Sequence, residues 1–260
     1  MTLSDDSLLV ELRGNILTLT INRPEKRNAL RMDLLDAIGA TLTDHATNDS
    51  VKVAVITAAG DHCFASGGDL KELAAIRSND QAEAMSQRGR RALDGIRTFP
   101  LPVIAAVNGL ALGGGAELAM ACDLRVAAAN AEIGFLQGQL GVTTAWGGGI
   151  DLIATAGSGR AMDLLLSARR LTAAEALATG LFDRICADGE NLDACLAAFL
   201  QPYLARSRNV LKGFKALTNG HRLVTHQHLS GIEQEQFVTS WTSDDHWAAV
   251  ELAAAGRRKK

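Results

Sequence analysis

Three consecutive glycines, Gly113 to Gly115, stand directly before an apolar stretch in "NGLALGGGAELAMACD", which occupies residues 108–123. Glycine loses more backbone freedom on folding than any other residue, so a glycine triplet is costly to order. Glu117 then places a carboxyl group inside the apolar stretch, where it is costly unless a charge or a hydrogen bond compensates it. Two local penalties side by side predict a functional site at this point of the chain.

The hydrophobic pattern predicts an α/β fold. "LLVELRGNILTLTINRP" indicates two strands joined by a turn at Gly14-Asn15. Asn28 precedes "ALRMDLLDAIGATLTDH", which has helical spacing, and a longer helix is expected over about 81–98. Buried strands in "VKVAVITAAG", "LPVIAAVNG" and "DLRVAAA" alternate with these helices and with "GGAELAMA", which the glycines open. This alternation predicts parallel crossovers in an α/β core.

The later part of the chain is predicted to be mostly helical. Thr172 and Glu175 fit a capping box, and Gly180 follows at a plausible helix end. From about residue 191 onward the pattern is helical. We therefore divide the chain into a core of residues 1–195 and a C-terminal helical region of residues 196–260. That region is expected to pack on the core or on a neighbouring subunit.

Composition argues against several classes of protein. The net charge is -3 and no long basic block occurs, so nucleic-acid binding is not expected. No apolar stretch reaches the roughly 18 residues of a membrane span, and "MTLSDDSLLV" lacks signal-peptide features, so a cytoplasmic protein without membrane contact is expected. The four cysteines form no zinc spacing, and we expect free buried thiols and no metal site. His226 and His228 lie two apart on a predicted helix and are expected at the surface.

A second glycine loop, Ser66-Gly67-Gly68, shares the plan of the triplet: a buried strand, a tight turn and a helix start. The free N–H groups of a helix's first turn carry partial positive charge, and two such groups converging on one point would hold a developing oxyanion. The alternative is that the glycines only permit tight packing of helix against strand. The glycines fit neither a Walker A loop nor a GxGxxG fingerprint, and GxSxG and HExxH motifs are absent.

Five stretches together resemble the crotonase superfamily, the enoyl-CoA hydratase/isomerase family, over nearly the whole chain: "INRPEKRNAL", "CFASGGDLKEL", "AAVNGLALGGGAELAMACDLRVA", "WGGG" and "LTAAEALATGLFDRI". The resemblance implies an α/β fold with a crotonase-like ββα spiral core, a C-terminal helical trimerisation region, and trimers or dimers of trimers. It also implies an acyl-CoA substrate whose thioester carbonyl lies between the N–H groups of Gly68 and Gly114. Coenzyme A would enter as part of the substrate, with no separate cofactor.

The same resemblance places contacts to coenzyme A in two of these stretches. The implied residues are Arg23, Lys26, Ala29, Ser66, Asp69 and Leu70. For each charged residue the alternative is a solvated turn. We expect Trp146 either to wall an acyl pocket or to be an ordinary core aromatic.

Family hydratases use two glutamates to add water across a double bond. Glu117 matches the first, and Gln137 stands at the position of the second. Glutamine can hold water but cannot exchange a proton at useful pH, and losing one acid/base group costs about two to four powers of ten in rate. If Glu117 is functional, burial should raise its pKa; the alternative is a carboxylate that only favours the helix start.

Chemistry with one proton donor is therefore expected. "GGGAELAMACDLR", "TAWGGG" and "EQEQF" look closest to the ethylmalonyl/methylmalonyl-CoA decarboxylase branch, so the leading hypothesis is an acyl-CoA lyase that decarboxylates a short malonyl-type thioester. Two alternatives stay open: enoyl-CoA hydration or isomerisation with Glu117 alone, and a member that binds acyl-CoA, RNA or a protein without catalysis.

Overall fold

The computed structural model describes residues 6–257. In chain order the strands are β1 (Leu8–Arg13), β2 (Ile16–Ile21), β3 (Val53–Ala58), β4 (Cys63–Ala65), β5 (Val103–Val107), β6 (Leu110–Leu112), β7 (Leu124–Ala127), β8 (Glu132–Gly134), β9 (Leu171–Thr172) and β10 (Arg184–Ile185). The α-helices are α1 (Met32–His45), α2 (Leu70–Leu73), α3 (Asn79–Thr98), α4 (Gly114–Ala121), α5 (Gly148–Ala156), α6 (Ser158–Ser167), α7 (Ala173–Ala178), α8 (Leu192–Leu204), α9 (Arg208–Trp241) and α10 (Asp244–Arg257). Short 3₁₀ helices cover Pro24–Lys26 and Leu136–Leu140.

The strands form two sheets. The larger sheet has the order β1-β2-β3-β5-β7-β10 and the smaller sheet the order β4-β6-β8-β9. β1 and β2 are antiparallel, and their turn at Gly14 (φ 58°) and Asn15 (φ 67°) has the left-handed backbone that a tight hairpin needs. The other neighbours in the larger sheet are parallel, so the predicted hairpin and parallel crossovers are both confirmed.

The middle of the chain repeats one unit of two strands and a helix. Each unit places its first strand in the larger sheet, its second strand in the smaller sheet and its helix after them. The units are β3-β4-α2, β5-β6-α4 and β7-β8-α5, with the 3₁₀ helix preceding α5. This is the ββα spiral that the resemblance implies. The repetition brings the ends of β4 and β6, and the glycine loops that follow them, side by side.

Local signals fix several helix ends as expected, but not the start of α1. Thr172 and Glu175 form the predicted capping box of α7, and Gly180 (φ 76°) follows its end. The segment after Asn28 becomes helical only at Met32, because Leu30 pairs with Gly68 in a parallel β-bridge and Arg31 has an extended backbone. The buried Asn28 amide donates to the carbonyl of Cys63 at 2.6 Å and so anchors this turn to β4.

The C-terminal helices pack on the core of the same chain. α8 runs continuously through residue 195, and α9 packs along α3 and α5. No break in the backbone therefore marks the division at residue 195. The role of the C-terminal helical region in oligomerisation stays a prediction. No described helix is both long and apolar enough to cross a membrane.

The prediction that His226 lies at the surface is wrong. Its side chain is buried, with Nε2 2.7 Å from Oδ1 of the buried Asp151 on α5. Arg97 and Arg222 bind the same carboxylate, at 2.9 Å each. A buried carboxylate needs such partners. The face of α9 that carries His226 therefore lies against α5, whereas His228 is exposed.

Candidate active site

One cavity of about 750 Å³ gathers the predicted site. It is lined by all eleven residues that the sequence singles out: Arg23, Lys26, Ala29, Ser66, Gly68, Asp69, Leu70, Gly114, Glu117, Gln137 and Trp146. A second cavity, of about 440 Å³ beside α9, contains none of them. Its Lys215 ammonium is already paired with Asp123 at 2.5 Å.

Two unpaired backbone donors lie in the large cavity. The N–H groups of Gly68 and Gly114 make no hydrogen bond with any described residue. Gly68 follows β4, Gly114 opens α4 after β6, and β4 and β6 are paired neighbours. The neighbouring Gly67 (φ 111°) lies so close that a Cβ there would be 3.7 Å from Gly114 N. Two free donors on adjacent turns are what an oxyanion hole requires, and the convergence of both on one oxygen atom stays a prediction.

The Trp146 ring lies beside both donors and leaves no room for a side chain at Gly114. A Cβ on Gly114 would fall 2.4 Å from Trp146 Cζ3, and one on Gly68 would fall 3.5 Å from Cη2 and 2.7 Å from Leu73 Cδ1. On the opposite edge of the ring, a Cβ on Gly89 of α3 would fall 2.3 Å from Nε1. Trp146 is buried and also lines the cavity, so it is at once a core aromatic and a wall beside the donors.

Glu117 is buried one helical turn beyond Gly114 and is held by several donors. Its Oε2 accepts from the N–H groups of Trp146 at 2.8 Å and Gly148 at 3.0 Å. Its Oε1 accepts from Gln137 Nε2 at 3.0 Å. Gly148 has to be glycine here, because a Cβ would fall 2.3 Å from Glu117 Cγ.

The surroundings raise the pKa of Glu117 to about 7. Burial is the main cause, and the charge of Glu233 on α9 adds to it. The N–H groups of Trp146 and Gly148 and the Gln137 amide oppose the rise by stabilising the ionised form. A carboxyl group with this pKa can both accept and donate a proton near neutral pH.

Gln137 can follow the protonation state of Glu117. Its Oε1 is buried and has no partner among the described residues while Nε2 donates to Glu117. Rotation of the amide by half a turn would present Oε1 to a protonated Glu117. A carboxylate at residue 137 would instead place a second negative charge beside Glu117.

The predicted turn for coenzyme A is built around an internal ion pair. The Arg23 guanidinium lies 3.0 Å from Asp69 Oδ2 and 2.5 Å from the carbonyl of Ala29. Burial alone would raise the pKa of Asp69, but Arg23 and the Lys71 N–H hold it below its usual value. The Arg23 side chain therefore stabilises the turn through these two internal contacts. Lys26 lines the cavity with no ion pair among the described residues, and its contact with coenzyme A stays a prediction.

The sequence missed the contribution of the C-terminal helices to this cavity. Phe237 and Trp241 of α9 and Ala253 of α10 line it, and Trp241 Nε1 donates to the carbonyl of Ile76 at 3.1 Å. Helical periodicity shows which face of α9 is apolar but not which cavity that face meets. The motif "EQEQF" signalled the segment through family likeness without identifying its contacts.

The four cysteines are free and buried, as predicted. Cys186, Cys195 and Glu190 bring ligand atoms within 4.8 Å of one another, a juxtaposition that their spacing did not reveal. Both thiols lie in an apolar cluster between the larger sheet and α8, and burial raises the pKa of Cys186 to about 12. They therefore pack as small apolar side chains.

Comparisons with known proteins agree with this fold and site. The family model described as enoyl-CoA hydratase/isomerase matches residues 11–250. The short-chain-enoyl-CoA hydratase of Clostridium acetobutylicum is 34% identical over 185 residues, 71% of this chain and 70% of the relative. The crotonyl-CoA hydratase of Syntrophomonas wolfei is 37% identical over 180 residues, 69% of each chain. A crystal structure of an enoyl-CoA hydratase from Mycobacterium avium subsp. paratuberculosis superposes with a TM-score of 0.85 at 27% identity, covering 95% of this chain and 99% of that one.

The chain belongs to the enoyl-CoA hydratase/isomerase family and has the crotonase fold, and it is an enzyme of that family acting on acyl-CoA. The expected decarboxylase branch has no support from these comparisons, because the relatives are named as hydratases. They favour the alternative of hydration or isomerisation.

Proposed function

We propose that the protein hydrates a short 2-enoyl-CoA thioester, with Glu117 as the only acid/base group and Gln137 holding the water. The observation that carries this proposal is the arrangement around Glu117. A buried carboxyl with a pKa of about 7 lies beside a glutamine and one turn from a pair of free N–H groups. The relatives named as short-chain-enoyl-CoA and crotonyl-CoA hydratases support the choice of reaction.

In this reaction the ionised Glu117 takes a proton from water as the oxygen bonds to C3 of the substrate. The electron pair of the double bond moves through C2 to the thioester oxygen, where the N–H groups of Gly68 and Gly114 stabilise the enolate. Glu117 then returns the proton to C2, so one water is added and the carboxylate is regenerated. The unpartnered Oε1 of Gln137 can accept a hydrogen bond from the same water.

The shape of the cavity favours a short acyl group. Trp146 closes the space next to the two N–H donors, and Leu73, Met85 and Phe237 add an apolar lining. A long chain would have to displace the Trp146 ring, which Gly89 and Gly114 hold between α3 and α4.

A second candidate is decarboxylation of a malonyl-type thioester. Gln137 in place of a second carboxyl favours it, because an enolate formed by loss of CO₂ needs only one proton donor. Glu117 would then act in its protonated form.

The test is product mass after incubation with crotonyl-CoA, methylmalonyl-CoA or ethylmalonyl-CoA, for the parent and for Glu117→Gln. Gain of one water by crotonyl-CoA, lost in Glu117→Gln by about two to four powers of ten in kcat, supports hydration. Loss of CO₂ from a malonyl-type thioester without hydration supports the second candidate. Binding of coenzyme A without any turnover would overturn both.

A further inference from the structure

Residues 144–148, here called the 144–148 loop, bind two carboxylates at once, the buried Glu117 and the half-buried Glu233. Glu117 lies on α4, and Glu233 lies on α9, far along the chain. Successive backbone N–H groups of the loop are divided between them. The donors are Trp146 N–H (2.8 Å) and Gly148 N–H (3.0 Å) to Glu117 Oε2, and Gly147 N–H (2.8 Å) and the Thr144 hydroxyl (2.6 Å) to Glu233. Because each peptide unit is rigid, moving one carboxylate displaces the peptide next to those that bind the other.

Glu233 is itself fixed from a third helix. Arg90 of α3 donates to its Oε2 at 2.6 Å, and the side chains of Arg90 and Glu233 are 11% and 8% exposed. Ser86 of α3 also donates to the carbonyl of Ala145 at 2.9 Å. Side chains of α3, α4 and α9 therefore all form hydrogen bonds with the 144–148 loop.

The loop also sets two carboxyl groups close enough to influence each other. The Glu233 charge opposes ionisation of Glu117 and adds to the effect of burial on its pKa. Helices α3, α5 and α9 pack around the same loop and bring their own charged or titratable groups. These are Arg90, Arg97, Asp151, Arg222, His226 and Glu233.

We propose that Glu233 is a positioning residue for Glu117, acting through the shared 144–148 loop and through its own charge. This inference rests on the proposed function of Glu117 as the proton carrier. It gives the C-terminal region a part in the chemistry of its own subunit, in addition to any part in assembly. A purely structural Arg90–Glu233 pair would tie α3 to α9 without altering how Glu117 exchanges its proton.

The test is Glu233→Gln, which removes the charge and keeps the shape of the side chain. It leaves one acceptor oxygen for the Gly147 N–H and turns the other oxygen, which accepts from the Thr144 hydroxyl, into an amide donor. The pH at the midpoint of the kcat/KM profile should fall, because the like charge that opposes ionisation of Glu117 is gone. In the parent, kcat/KM should rise through the pKa of Glu117 if the ionised form reacts, and fall through it if the protonated form reacts. The midpoint moves down in either case, so this result does not depend on which reaction is correct.

KM should stay within about twofold, because the nucleotide turn is untouched. kcat should fall several-fold, because the variant weakens the contacts of Glu233 with Thr144 and Arg90 and so loosens the loop that binds Glu117. Glu235→Gln is the matched control. It removes the same charge from an exposed position on α9 and should leave both the midpoint and kcat unchanged. An unchanged or raised midpoint in a folded Glu233→Gln protein would overturn the proposal.

A direct titration separates this proposal from the proposed function. Carboxyl resonances of ¹³C-glutamate-labelled protein are followed with pH, and the resonance missing from Glu117→Gln identifies Glu117. The Glu117 midpoint should be lower in Glu233→Gln even when no substrate is turned over. If Glu233→Gln does not fold, Glu233→Asp takes its place. It keeps the charge but shortens the reach to the Gly147 N–H, so kcat should fall several-fold, and an unchanged kcat would refute the proposal.

Discussion

Replacing Glu117 by glutamine should stabilise the protein above neutral pH. The folded-state pKa is about 7 against a usual value of 4.5. Between these values the folded protein keeps a proton that the unfolded chain has lost, so the free energy of unfolding falls as pH rises through this window and is constant above it. At about 1.4 kcal/mol for each pH unit, the ionised Glu117 costs about 3 kcal/mol. A glutamine at residue 117 does not ionise, so the free energy of unfolding of the variant does not include this cost.

The replacement fits the site. An amide oxygen can accept from the N–H groups of Trp146 and Gly148, and the amide nitrogen can donate to Gln137 Oε1 once that side chain rotates. The hydrogen bonds that support the 144–148 loop are therefore largely retained. The difference between the two proteins should come mainly from the charge.

The assay is urea unfolding at one protein concentration at about pH 5 and about pH 8. Glu117→Gln and the parent should be nearly equal at the lower pH, and the variant should be more stable by up to about 3 kcal/mol at the higher pH. Glu235→Gln, which removes an exposed charge, is the control and should follow the parent. Parallel pH curves for Glu117→Gln and the parent would refute the reasoning, because they would mean that Glu117 ionises in the folded protein without cost.

Four further outcomes are expected. Gln137→Glu should raise hydration of crotonyl-CoA well above the parent rate by restoring a second acid/base group; a parent rate already typical of efficient hydratases would contradict this. Gly114→Ala should abolish turnover, because its Cβ would fall 2.4 Å from Trp146 and displace the ring or the residue 114 N–H, and normal kcat in that variant would contradict the close packing of Trp146 on this donor. Trp146→Ala should extend the range of accepted acyl chains, measured as kcat/KM across a series of chain lengths, and an unchanged ranking would remove Trp146 from the acyl pocket. Light scattering should show a trimer or a hexamer, and a monodisperse monomer at micromolar concentration would rule out both.

Glu117 shows how far sequence reasoning reaches into the site. An apolar stretch opened by a glycine triplet predicts its burial and the rise in pKa that burial causes, whereas the further rise caused by Glu233 comes from a helix remote in the sequence. The Gly114 donor is likewise local, since the first N–H groups of a helix have no partner inside the helix. Gly68 lies before Asp69, the N-cap of α2, so its N–H belongs to the turn and not to the first turn of the helix. Family likeness then paired the two loops, and the register of β4 with β6 brings them together.

Local patterns and the family resemblance therefore predicted the strand–turn–helix units, the parallel sheet and eleven of the residues that line the cavity. The partners of those residues follow from tertiary packing instead. Arg23 is paired with Asp69, and His226 is buried against Asp151. Glu233 shares the 144–148 loop with Glu117, although 116 positions separate the two residues. Periodicity records which face of a helix is apolar, whereas the docking of α9 on α3 and α5 depends on packing and buried charge summed over the whole molecule, which no local pattern encodes.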